Sequence, residues 1–179
     1  QNAVELLETI CAELHINIDG KRGSTKALVD ILNAHLLVAY SQGLRVVLLA
    51  ALAWWGGVLI GLDYRSGEMG SSFLHGPLLL FHEAGHVLFR LFGEWMTILG
   101  GTLGQLLMPA IIVVAFLWKN RDPFGAAVGL WLLGVSLLDV APYMHDALDP
   151  QLMLLSGATG EDGGHDWIYL LKSIGLLQH

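Results

Sequence analysis

The chain has 179 residues, enough for one domain with a small appendage, and 54% of them are hydrophobic against 14% charged. Soluble domains carry about 25% charged residues, so this low charge and the mean hydropathy of +0.59 indicate a membrane protein. A net charge of −7 argues against a nucleic-acid partner, and the single cysteine, Cys11, excludes an intramolecular disulfide or a cysteine-based zinc cluster.

Residues 1–43 are polar and amphipathic, and no cleavable signal peptide is expected among them. Val4, Leu7, Cys11 and Leu14 recur at helical spacing; Asp19-Gly20-Lys21-Arg22-Gly23 is turn chemistry. Ser24 or Thr25 can then cap a second helix, with Leu28, Ile31, Leu32, His35 and Leu36 as its stripe. This segment reads as a small helical hairpin, domain 1–43, outside the bilayer, followed by a membrane-embedded domain over 44–179.

Leu44–Leu62 is a 19-residue apolar run, broken only by Arg45 at its edge, and long enough to span. Its Trp54 and Trp55 fall mid-run and are expected to pack on neighbouring helices. A polar, glycine-rich loop covers Asp63–Gly76. Pro77–Phe92 is expected to be a helix with proline in its first turn. Ile98–Trp118 and Phe124–Met144 are two further 21-residue runs, and Trp167–Leu177 is a short amphipathic segment. The expected fold is therefore all-α: a polytopic membrane protein with about four membrane helices and the N-terminal hairpin. Lys21, Arg22, Lys26 and Arg45 favour a cytoplasmic N-terminus. Lys119 and Arg121 fall on the opposite side if all four helices cross, and on the same side if the second is re-entrant.

The chemistry is concentrated in His82-Glu83-Ala84-Gly85-His86, inside the second apolar segment. Positions i and i+4 share a helix face, so both imidazoles can reach one metal ion, while Glu83 can take a proton from the attacking water. With 8 His among 179 residues, this arrangement of two His and a Glu arises by chance in only about one per cent of such chains. Read instead as core packing, the same residues leave Glu83 unpaired in apolar surroundings, which is costly.

A catalytic zinc site usually has three protein ligands and an open position. Asp139 is the first choice for the third, because a carboxylate deep in an apolar span costs about 2.5–3.5 kcal/mol unless it serves a cation. Asp146 lies seven residues later on a similar face. His165-Asp166-Trp167 follows Gly163-Gly164, a hinge that could fold a loop back over the site, with His165 as the alternative ligand. His75 precedes His82 by seven residues, but Gly76-Pro77 is expected to break the helix between them. Gln105, in an uncharged span, needs hydrogen-bond partners. It reads either as an interhelical tie beside Gly104 or as a contact to substrate.

His82-Glu83-Ala84-Gly85-His86 in a membrane helix, a Gly- and Pro-containing span after it, and the late Leu138-Asp139 resemble the site-2-protease-like family of intramembrane zinc metallopeptidases. The resemblance covers roughly residues 70–145. It implies that His82, His86 and Asp139 bind Zn²⁺, that Glu83 activates water and that a membrane-protein substrate is cut within the bilayer. Glu83 would then pass its proton to the leaving amine. The expected partners are the lipid bilayer, a membrane-protein or peptide substrate and a regulatory membrane protein, in a bacterial inner membrane. A non-catalytic membrane subunit with a structural or regulatory metal site is the main alternative. A haem protein is disfavoured because no other good span carries a central His.

Overall fold

The computed structural model describes residues 3–65, 67–155, 157, 159–162 and 164–177; among these all regular structure is helical, with no strand. Helix α1 spans Ala3–Glu13, α2 Thr25–Ile60, α3 His75–Phe89, α4 Glu94–Ala115, α5 Pro123–Asp146 and α6 Asp166–Ser173. Three helices are long and apolar enough to cross a membrane: α2, α4 with its continuation to Asn120, and α5. The motif helix α3 is not among them. Its 15 residues rise roughly 22 Å, against a hydrocarbon core of about 30 Å.

The chain divides into two compact units, Gln1–Ala51 and Leu52–His179. The boundary expected at residue 43 falls inside α2, a single 36-residue helix. Gly43 alone is too weak a breaker to end a helix of good formers on both sides. In the first unit, Ser24 Oγ accepts the N–H of Ala27 at 3.3 Å and so caps α2. Cys11, Ile18 and Leu28 form the buried core there, packed by Val4, Leu7, Ile31 and Leu32.

The second unit is built on close helix contacts made by glycine. A β-carbon at Gly85 of α3 would collide with the Gly100 carbonyl oxygen of α4. One at Gly104 would lie 2.6 Å from the Phe81 carbonyl oxygen and 2.7 Å from Gly85 Cα. Gly85, Gly100 and Gly104 thus let the two backbones touch, the small-residue packing favoured where lipid removes any hydrophobic drive between helices. Asp122 starts α5 by accepting the N–H of Phe124 at 3.1 Å, with Pro123 in the first turn. Leu59, Met69, Leu78 and Val135 are buried together, flanked by Trp55 and Trp131, whose ring centroids are 5.4 Å apart. Trp55 is therefore a packing residue as expected, whereas Trp54 is 74% exposed.

Candidate metal centre

The motif helix begins earlier than its sequence suggests. α3 starts at His75, so Gly76 and Pro77 lie in its first turn rather than breaking it. A first-turn proline loses no helical hydrogen bond, since those N–H groups have no partner within the helix anyway. His82 and His86 then project from one face, with ring centroids 4.8 Å apart and planes at 81°.

The third group at this pole is Asp166, the first residue of α6. Its Oδ2 lies 3.0 Å from His82 Nε2 and 3.2 Å from His86 Nε2, and the three ligand atoms are all within 4.8 Å of one another. Those separations are close to the roughly 3.3 Å edge of a tetrahedron whose metal–ligand bonds are about 2 Å. The side chains are 8%, 22% and 15% exposed for His82, His86 and Asp166.

Proton placement at His86 shows what the pole requires. His86 Nδ1 sits 2.8 Å from the Thr97 carbonyl oxygen, which can only accept, so Nδ1 carries the proton. A neutral His86 therefore aims its Nε2 lone pair at Asp166 Oδ2, also an acceptor. Two lone pairs facing each other need a cation between them, either a second proton on the ring or a metal ion. A carbonyl holding the remote ring N–H is also the usual way a protein fixes a metal-binding tautomer. Gly101 of α4 leaves the necessary room: a β-carbon there would come within 2.5 Å of His82 Nε2 and 2.6 Å of His86 Nε2. Two imidazoles, one carboxylate and a cradle that any side chain would fill suit Zn²⁺ with an open position.

Asp166 is placed by its neighbours. Its N–H donates to the Tyr143 hydroxyl at 3.1 Å, and the Tyr143 ring stacks on His165 at 4.3 Å. His165 Nδ1 accepts the N–H of Ile168 as the cap of α6, so Nε2 carries the proton and donates to Asp146 Oδ2 at 3.2 Å. Asp146 Oδ1 accepts the N–H groups of Gln151 and Leu152 at 2.8 and 2.9 Å. Both expected rivals for the metal are thereby committed to each other. Burial pushes the His165 imidazole down from its usual pKa against the pull of Asp146, in keeping with a neutral ring. Burial pushes the Asp166 carboxyl up, but hydrogen bonds from His82 and then His86 outweigh it and hold the group at about 2. Of the proposed hinge, Gly164 has φ +84, whereas Gly163 lies outside the described residues.

Asp139 is not among the converging atoms. It is buried in α5, where Oδ1 takes His75 Nδ1 at 2.9 Å and Oδ2 takes the Gln105 amide N–H at 2.7 Å. Gln105 is only 3% exposed and one of its amide N–H groups is held by Asp139, so it ties α4 to α5. Glu83 is exposed and makes no hydrogen bond among the described residues. It opens onto a cavity of about 900 Å³ that is shared with His82, His86 and Asp166 and walled by Leu79 and Leu152. Sequence reasoning passed over Asp166 and Tyr143; the available signal was His165-Asp166-Trp167 after a diglycine.

No family model, curated protein or solved structure matches the chain.

Proposed function

We propose that the protein is an intramembrane zinc metallopeptidase of the site-2-protease-like kind, with His82, His86 and Asp166 as the metal ligands and Glu83 as the general base. The observation that carries this reading is the convergence of both motif imidazoles on one oxygen of Asp166, at a cavity shared with Glu83, which has no partner among the described residues. When bound, Zn²⁺ supplies Lewis acidity, polarising a carbonyl and bringing the pKa of water toward about 7. Glu83 takes a proton from the attacking water, and the cavity wall of Leu79, Val140 and Leu152 receives an apolar segment of the substrate. α3 lies within the bilayer as the fourth membrane helix, packed on α4, in a bacterial inner membrane, and a second membrane protein regulates access.

Glu83→Gln tests the reading on purified full-length protein. Glu83 is a base and not a ligand, so the variant keeps its zinc and loses about 10²–10⁴-fold in cleavage of a membrane-peptide substrate. Cleavage at the native rate would overturn the mechanism. A zinc-loaded native chain that cleaves no membrane peptide would favour a non-catalytic metal-bearing subunit.

A further inference from the structure

Three residues at the cavity take no part in the metal pole. His75 opens α3, Gln105 lies in α4 and Asp139 in α5, and all three line the cavity that holds Glu83, His82 and His86. Both oxygens of Asp139 are occupied, one by His75 and one by the Gln105 amide. A carboxylate accepts, so His75 carries a proton on Nδ1, and its ring is fixed at that end. Its Nε2 has no hydrogen-bond partner among the described residues, and the side chain is 35% exposed. An imidazole held at Nδ1 by a buried carboxylate, with Nε2 unpartnered among the described residues on a ring that lines the same cavity as the general base, has the arrangement of a proton-transfer group.

We propose that His75 delivers the proton to the leaving nitrogen, with Asp139 and Gln105 as its positioning residues; this rests on the peptidase reading above and divides between two residues the work first assigned to Glu83. Glu83 removes one proton from water, whose oxygen forms the new bond to the carbonyl carbon. When the carbon–nitrogen bond breaks, its electron pair stays on nitrogen and takes the Nε2 proton of the His75 imidazolium. The N–H electron pair returns to the ring. The proton on Glu83 then passes through solvent to His75 Nε2, which resets both groups and leaves one water added across the peptide bond. As a mere tie between helices, His75 would need only its Nδ1–H, and nothing would require its ring to line the cavity.

That difference defines the test, made on the full zinc-loaded chain. In His75→Asn the side-chain amide can replace Nδ1–H toward Asp139 but supplies nothing in place of Nε2. We expect unchanged zinc content and a 10²–10⁴-fold loss on a peptide amide. On an aryl ester of the same acyl sequence, whose leaving group needs no proton, the loss should be under about tenfold. Asp139→Asn should show the same selective loss, smaller in size. An equal loss on amide and ester, or native amide cleavage in His75→Asn, overturns the proposal. A second measurement needs neither catalysis nor a variant: diethyl pyrocarbonate, which acylates only the unprotonated ring, should modify His75 at Nε2 once the pH is raised until the imidazolium has lost its proton, with the exposed His35 as the comparison. Modification of His35 with His75 spared even where the ring is unprotonated overturns the proposal and leaves the peptidase reading standing. A native chain that cleaves no peptide while His75 is reactive removes that reading, and the leaving-group role with it.

Discussion

His165 Nε2 lies 3.2 Å from Asp146 Oδ2, and through this pair the end of α5 grips the residue just before the start of α6. The grip explains why neither residue is free to bind a metal and why Asp166, next in the chain, is. His165 has both ring nitrogens engaged, one as the helix cap and one toward Asp146. Stacked on Tyr143, it fixes the α6 N-terminus from which the Asp166 carboxylate points at the imidazole pair.

The first prediction follows from that division of labour. Asp166→Ala should lose most of its zinc, and Asp139→Ala and Asp146→Ala should keep it better. His165→Ala keeps all three ligands but loosens their support, so its zinc affinity should fall about 10–100-fold. Metal content and affinity of the purified variants decide this: full zinc in Asp166→Ala with loss in Asp139→Ala would restore Asp139 as the ligand.

Glycine variants separate the metal pole from the helix packing. Gly101→Ala should abolish zinc binding while the protein still folds, because its methyl would fill the space beside both Nε2 atoms. Gly85→Ala should instead force α3 off α4, with an overpacking cost of about 1–3 kcal/mol. Zinc content and thermal unfolding in detergent, measured on both, should therefore move in different proportions. Normal zinc in Gly101→Ala would contradict the cradle.

Acid should act in two separated ranges. The His165 pKa is lowered below its usual 6.5, so the unfolded chain binds more protons than the folded one as pH falls through that value, and α6 docking weakens there. The Asp166 pKa is depressed from 3.8 to about 2, so its contribution is present above pH 3.8 and is lost only as pH falls toward 2. Zinc should accordingly leave where the docking of α6 weakens, and not in the carboxylate range. A titration of bound zinc with its midpoint below pH 4 would show the opposite order.

The outer face of α3 is a test of location. Leu80 and Val87 are 68% and 75% exposed, apolar, and directed away from the metal pole. Cysteines placed at these two sites in a Cys11→Ala background should resist membrane-impermeant thiol reagents in intact membranes, whereas one at the exposed Glu161 should react. Fast labelling at both α3 sites would place the motif helix in water and remove the intramembrane part of the proposed function.

What could be read from the sequence were features carried by neighbouring residues. The His82–His86 pair needs only helical spacing, and the three long spans announce themselves as apolar runs. Their ends were less legible: α2 continues from Thr25 without a break because nothing between its polar and apolar parts stops a helix. Asp166 lies 84 residues from His82, in a segment with no periodicity to mark it. The cost argument for Asp139 was sound in asking for a partner, but the partners are the His75 imidazole and the Gln105 amide. His75 was discounted because Gly76-Pro77 looked like a stop, and a proline in the first turn is not one.

The separation of Asp166 from its two imidazoles also sets an order in time. At about 5–20 residues per second, synthesis reaches Asp166 roughly 4–17 s after His82. During that interval the pair has no carboxylate, α6 does not yet exist, and Glu83 has no completed centre beside it. On the proposed function, the centre therefore stays incomplete until α6 is made and docked.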